Sequence, residues 1–416
     1  MKLRTMMGAL CAAGLMAAGI QVASAAEQIE VLHWWTSGGE SKAVGALKAD
    51  MDKQGYQWKD FAVAGGAGAA AMTALKTQVI SGNPPSAAQI KGPLIKEWAD
   101  EGVLTNIDAV ASDWSRNLPP AIDTLMKYKG HYVAAPFSVH RVNWLWINKI
   151  ALDKVGGKPP TTWPEFFALA DKLKSAGYVP VAAGGQPWQD LTIWETVVLS
   201  EGAPFYKKAL VDLDPAILTS PKMAQVFDIV RKIESYFDAG RAGRDWNLAT
   251  AMVINGRAGM QFMGDWAKGE FVNAGKVPGT DYVCAPAPGT ATSFTYNVDS
   301  FVFFTQKGQS GPTPGQLALA RTIMNPDFQA QFSLYKGSIP VRLGVPMDQF
   351  DACAKQSYAD EQTALKSGGY VPSLAHGMAQ GDAVAGAISD VVTTFMNSNE
   401  DTQTALAKLA KAAKTK

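Results

Sequence analysis

Histidine and cysteine are scarce in this chain of 416 residues, at four and three copies. His33, His131 and His140 stand singly, without the spacing that brings several ligands to one metal. No metal and no other cofactor is therefore expected. Neither sign of charge is in excess, with 38 Lys and Arg against 37 Asp and Glu. A neutral balance gives no electrostatic footprint for nucleic acid or an anionic membrane. Beyond residue 22 no long apolar run appears, so a soluble protein is expected. No low-complexity tract or internal repeat is present. The one Gly-rich turn, Ala64-Gly65-Gly66-Ala67-Gly68, lacks both the Gly-Lys-Ser/Thr ending of a P-loop and the third glycine of a dinucleotide fingerprint. It reads as a tight strand-to-helix turn and not as a phosphate cradle.

What is present begins with a secretion signal. Lys2 and Arg4 precede an apolar run from Met6 to Val22, and Ala23-Ser24-Ala25 follows as a small-x-small cleavage site. The run is short for a membrane span and is broken by Gly8, Gly14 and Gly19. Cys11 follows the bulky Leu10 and lies inside the run, which argues against lipid attachment. Cleavage near Ala25 leaves 36 basic residues against 37 acidic, and leaves Cys284 and Cys353. An even pair in an oxidising compartment predicts a disulfide; the alternative is two unrelated buried thiols. The remaining length suggests two domains.

Strand and helix signals alternate along the chain. Ile29–Leu32, Trp58–Val63 and Ala87–Ile90 read as strands. So do Gly130–Phe137, Arg141–Asn148, Val179–Ala183, Ala258–Phe262 and Phe301–Phe304. Ala318–Phe332 reads as one helix, with an extended exit over Leu334–Val341. The stretch His33-Trp34-Trp35-Thr36-Ser37-Gly38-Gly39-Glu40 lies between a strand and a helix whose face carries Val44, Leu47 and Met51. Ligands of open α/β sheets bind outside the carboxyl ends of strands, where such turns lie. Indole faces suit the C–H faces of a pyranose, and Glu40 suits its hydroxyls. The competing reading makes Trp34 and Trp35 core residues. Because neighbours on a strand face opposite ways, one can be core and the other ligand-facing. Lys91 occupies the corresponding turn after another strand.

Three further motifs follow in order. They are Pro160-Thr161-Thr162-Trp163-Pro164-Glu165-Phe166 with Ala170–Lys174, then Gly256–Met260 with Gly264-Asp265-Trp266, then Lys336-Gly337-Ser338-Ile339-Pro340-Val341-Arg342. Their order behind a secretion signal resembles the extracellular solute-binding proteins of ABC sugar importers, from about Glu27 to the end. Trp34-Trp35 with Glu40, and the pair Trp246 and Trp266, resemble most the glucose- and mannose-binding members. The resemblance implies an α/β fold of two lobes, each a central sheet flanked by helices, joined by a multi-crossing hinge. The lobes would be 27–137 with 297–338, and 138–296 with 339–416. It implies a periplasmic monomer that captures a monosaccharide, glucose above all, and delivers it to a membrane permease. Trp34, Trp35, Glu40, Lys91, Trp246, Trp266, Asp299, Lys336 and His376 would form the site. Relatives often have Gln where Lys91 stands.

Each of these residues has a plainer reading. Trp246 and Trp266 suit helix packing, Lys336 a helix C-terminus, His376 a surface loop and Asp299 a turn cap. Lys91 suits a solvated turn. A second functional class is a secreted glycoside hydrolase using Glu40 and Asp299 as its two carboxylates. A third is a binding protein for another sugar, an oligosaccharide, or an amino acid or polyamine.

Overall fold

The computed structural model describes residues 26–415. The secretion signal and Cys11 lie outside the described residues.

Among the described residues the chain forms two main sheets, each with its own core, a third hydrophobic cluster beside the smaller sheet, and a two-stranded ribbon of Lys127–Tyr128 with His131–Tyr132. The larger has seven strands. Gln28–His33 pairs in parallel with both Gln57–Ala62 and Ala87–Gln89. Ala87–Gln89 pairs with the far end of Phe294–Phe303, which runs antiparallel to Ala134–Arg141. Ile339–Pro340 and Tyr370–Pro372 complete the sheet. Phe294–Phe303 and Ala134–Arg141 are buried along their whole length, so the polar residues they carry, His140, Arg141, Asn297 and Asp299 among them, need partners inside the protein. Helix Gly38–Lys53 covers the sheet with Val44, Leu47 and Met51, the face its periodicity predicts.

The smaller sheet has four strands in the order Tyr282–Pro286, Trp144–Asn148, Ala258–Phe262, Val179–Val181. Helices Trp163–Ser175, Pro187–Ser200, Pro221–Glu234 and Asp382–Met396 supply its core. The first of these starts on a capping box. Thr162 accepts from Glu165 N, Glu165 reaches back to Thr162 N, and Pro164 sits in the first turn.

Only two residues, Val142 and Asn143, separate the paired ends Arg141 and Trp144 of the two sheets. The return runs through residues 287–293. Asn143 staples the crossings, its Nδ2 donating to Thr290 Oγ1 and Ser293 O and its Oδ1 accepting from Thr295 N. Beside it, the buried Arg141 pairs with Asp360, its guanidinium 4.4 Å from the Trp144 ring. Late segments divide between the cores: Val345, Phe350, Ala354 and Ala364 pack in the first, Leu374 and Ala375 in the second. A disulfide joins Cys284 on the outer strand of the smaller sheet to Cys353, with Cα atoms 6.0 Å apart.

Several boundaries differ from the sequence reading. Ala318–Phe332 is two helices, Pro314–Ile323 and Pro326–Lys336, because Pro326 cannot continue a ladder and Asn325 caps the second. That second helix runs through Lys336, so only Ile339–Pro340 of the expected exit is extended. Gly337 ends it at φ 89°. Tyr282–Pro286 was not expected as a strand: it is half-buried, and its alternation is weak.

Candidate functional site

The tandem tryptophans diverge. Trp35 turns into the first core, with ring centroids 5.5 Å from Phe301, 5.4 Å from Phe137 and 5.3 Å from Phe332. Trp34 turns the other way, onto Gly68, where a Cβ would meet its ring at 2.7 Å. Gly68 has φ 86°, so both backbone and space call for glycine. Lys91 Nζ lies 5.2 Å from the Trp34 ring, and Gln89 Oε1 accepts from Trp34 N. Glu40 stands in the first turn of its helix. Its Oε2 accepts from Ser37 N, and its Oε1 accepts from Lys336 Nζ at 2.9 Å. The last residue of Pro326–Lys336 is thus a buried partner and not a solvated helix end.

The facing wall comes from the side of the smaller sheet, where Trp246 and Trp266 pack in a third cluster with Trp144 and Trp146. Trp246 opens helix Trp246–Ile254, and Trp266 precedes helix Ala267–Asn273. His376 packs 4.8 Å from Trp266 and 5.7 Å from Trp188, centroid to centroid. It is buried, not on a surface loop. Its Nδ1 lies 2.9 Å from Ser373 Oγ, and its Nε2 has no partner among the described residues.

Asp299 sits at the centre, on a buried strand and not at a turn. Its Oδ1 accepts from Gln89 Nε2 and lies 3.8 Å from Lys91 Nζ; its Oδ2 is 3.0 Å from His140 Nε2 and 4.0 Å from Lys336 Nζ. The other nitrogen of His140 meets Asp265, which also accepts from Arg141 N. Burial alone would raise Asp299, but His140, Lys336 and Lys91 outweigh it and hold the carboxyl far below the usual range. Burial would lower His140, but Asp265 and Asp299 outweigh it and push the imidazole up. Lys336 is raised in the same way, by Glu40 and Asp299 against burial. Lys91 is lowered, burial exceeding the pull of Asp299. A glycosidase acid needs a raised carboxyl, and Asp299 moves in the opposite direction.

All nine residues named from the sequence line one cavity of about 230 Å³. Sequence reasoning missed Trp188, Asn247 and Asn297 in its wall, and the supports His140 and Asp265 behind it. Asn297 was findable, since it lies two residues from Asp299 on a strand and so shares its face. Pro187-Trp188 repeats the helix-opening pattern of Trp163-Pro164, but nothing local says which side of the helix meets a cleft. Among the described residues no cluster of three His, Cys, Asp or Glu could hold a metal, and no helix is long and apolar enough to cross a membrane.

Comparison with known proteins places this geometry. Residues 41–308 match the family described as bacterial extracellular solute-binding protein. Proteins named probable sugar-binding periplasmic protein from Rhizobium meliloti and Brucella melitensis are each 50% identical; the matches cover 99% and 100% of this chain and 99% of each relative. The glucose-binding protein GlcS of Saccharolobus solfataricus is 22% identical over 64% of this chain and 53% of its own. The bacterial solute receptor AcbH, described as exclusively preferring β-D-galactopyranose, superimposes with TM-score 0.75 at 20% identity over 93% of this chain and 97% of its own. A solute-binding protein from Thermotoga lettingae solved with α-D-tagatose gives TM-score 0.72 at 17% identity over 93% and 99%. The two-lobed α/β architecture is shared with these neighbours. This is a binding protein and not an enzyme: the chain belongs to the bacterial extracellular solute-binding protein family.

Proposed function

We propose that the chain is the periplasmic receptor of an ABC sugar importer, working as a monomer that captures one monosaccharide, glucose above all, and hands it to the membrane permease. The periplasmic location follows the secretion signal read at Ala23-Ser24-Ala25 and the names of the relatives at 50% identity. The observation that carries the sugar reading is the lining of one cavity by indoles together with a balanced set of charges. Indole faces take the C–H faces of a pyranose, Glu40 and Asp299 accept from hydroxyls, and Lys91 and Lys336 donate. A volume of about 230 Å³ lies below the roughly 300–1,000 Å³ of drug-sized pockets, which supports one ring and not a chain. Paired lysines also disfavour a polyamine.

The lobes are proposed as 27–137 with 297–338, and 138–296 with 339–416, except that 138–141, 294–296, 339–340 and 370–372 pair within the larger sheet and go with the first lobe, and 345–364 packs back onto its core. Titration calorimetry of refolded, ligand-free protein against a panel of hexoses and maltose tests the assignment. Glucose is expected to bind much more tightly than maltose; equal affinities would exclude a monosaccharide site.

A further inference from the structure

Behind His376 lies a buried chain of polar groups that the sugar reading does not use. Glu195, on helix Pro187–Ser200, is fully buried. Its Oε2 accepts from the backbone amides Leu374 N at 2.7 Å and Ala375 N at 3.2 Å. Tyr206 OH stands 3.0 Å from the same oxygen and 2.8 Å from Pro372 O. Ser373 Oγ lies 2.6 Å from Oε1 and 2.9 Å from His376 Nδ1, and it accepts from His376 N.

The amides can only donate, so the proton positions follow from them. With Oε2 taken by two fixed donors, Oε1 of the carboxylate depends on Ser373 for its hydrogen bond. Ser373 has one proton, and giving it to His376 would leave a bare carboxylate oxygen facing a hydroxyl lone pair. Ser373 therefore donates to Glu195, and its remaining lone pair takes the proton of His376 Nδ1. The Nε2 of His376, on the far side of the ring, is then an unprotonated acceptor.

We infer that Glu195, acting through Ser373, fixes the tautomer of His376 so that this residue accepts a hydrogen bond from a sugar hydroxyl instead of donating one. Glu195 and Ser373 are positioning residues; His376 is the specificity-determining contact. The inference rests on the proposed sugar site for its ligand. Two electrostatic features agree with it. Burial pushes Glu195 up to about 7 against the hydrogen bonds that lower it, which leaves it ionised at pH 8. Burial, then Lys91 and His140, hold His376 well below its usual value and hence neutral.

The consequence is selectivity against ligands that offer fluorine, which cannot donate, where glucose offers a hydroxyl. Replacing Glu195 by Gln reverses it. The Leu374 and Ala375 amides hold the Gln carbonyl at the Oε2 position, so the Gln NH₂ donates to Ser373, Ser373 donates to His376 Nδ1, and Nε2 gains the proton.

Two measurements test this on the full mature chain, refolded free of ligand. Nitrogen-15 NMR of the imidazoles at pH 8, assigned with His376→Gln, reads the tautomer without any sugar. Wild type is expected with the proton on Nδ1, and Glu195→Gln with the proton on Nε2; Ser373→Ala, which lacks the bridge, is expected to lose the exclusive Nδ1–H form. Calorimetry with glucose and its 2-, 3-, 4- and 6-deoxyfluoro forms then reads the contact. At one position fluorine is expected to cost wild type about 10- to 100-fold more affinity than it costs Glu195→Gln. An Nε2–H tautomer or an imidazolium in wild type at pH 8 overturns the inference, as does a panel in which no position responds to Glu195→Gln. Failure of glucose itself to bind sinks the sugar assignment and leaves the tautomer result standing.

Discussion

His140 Nε2 lies 3.0 Å from Asp299 Oδ2, and the same ring reaches Asp265 through Nδ1, so one imidazole ties the central carboxylate of the cavity to a second carboxylate behind it. The pair sets a pH window. Asp299 is depressed in the folded state, so its contribution is present above its unfolded value of about 3.9 and is lost as pH falls through the folded one. His140 is raised, so its contribution is complete below about 6.5 and is lost as pH rises through its folded value. For this pair, stability of ligand-free protein is expected to be greatest between about pH 4 and 6.5. His140→Gln should lower the melting temperature at pH 6 more than at pH 9. Equal losses at both would show that the ring is not charged in the fold.

Glu361 carries an opposite liability. Burial raises this carboxyl to about 7, with Tyr370 OH as its nearby donor. A raised acid weakens the fold as pH climbs from its unfolded value towards the folded one, so the penalty is complete above about pH 7. Glu361→Gln keeps an oxygen for Tyr370 and removes the charge. It is expected to stabilise the protein by up to about 3 kcal/mol at pH 8 and little at pH 4.5. Denaturant melts at the two pH values measure the difference; no gain at pH 8 would place water or a cation at that carboxylate.

Trp266 closes one wall of the cavity against His376 and Trp188. Trp266→Ala should cost about 2–4 kcal/mol of sugar binding, roughly 30- to 1000-fold in affinity. Calorimetry reads this directly. An affinity within a factor of about three of wild type would make Trp266 a packing residue.

The disulfide closes 69 residues of sequence between the outer strand of the smaller sheet and helix Ala352–Ser367. By the chain-entropy account such a loop is worth about 4 kcal/mol. Unreduced protein unfolded in denaturant should resist thiol alkylation at Cys284 and Cys353, and reduction should lower the unfolding midpoint. Mass spectrometry that finds both cysteines alkylated without reduction would refute the bond.

How much of this was legible beforehand depends on the kind of signal. Strand Ala258–Phe262 and the Val44, Leu47 and Met51 face of helix Gly38–Lys53 are local, set by residues within one turn or pleat. They read correctly. The nine cavity residues were placed by resemblance and by strand-to-helix turns, and the fold gathers them. His140 and Asp265 stayed hidden because their meaning is a contact across 125 positions, with no periodicity to betray it. Glu195 and Ser373 are separated by 178, and Glu195 looks like any helix carboxylate until the Leu374 and Ala375 amides arrive. Pro326 was the reverse case. Its helix break was readable, and the apolar residues at helical spacing on either side, Leu319 with Ile323 and Phe328 with Phe332, obscured it.

Closure of the two lobes around sugar is the remaining prediction. Trp34, Glu40, Lys91, Asp299 and Lys336 belong to one wall; Trp188, Trp246, Trp266 and His376 belong to the other. A ligand touching both walls binds the closed form better than the open one, and only that difference shifts the equilibrium. The walls already meet tightly. A Cβ on Gly66 would lie 2.5 Å from the Trp188 ring, and one on Gly39 would lie 2.7 Å from the backbone of Gly269. The Trp188 indole is held by Gln186, so it does not yield freely. Gly66→Ala should therefore hinder closure and leave the open form unstrained, with sugar affinity reduced by roughly 10-fold and the melting temperature of ligand-free protein unchanged. Asp299→Ala should weaken binding similarly or more, since Lys91, Lys336 and His140 lose their shared carboxylate inside a closed cleft. Small-angle scattering separates closure from affinity. The radius of gyration should fall when glucose is added to wild type, and at the same sugar concentration it should stay unchanged in Asp299→Ala. Gly66→Ala should show the fall only at higher sugar. Wild-type scattering that does not change from a verified ligand-free start would mean that the cleft is preformed, and the permease would then have to recognise the sugar-loaded receptor by something other than its shape.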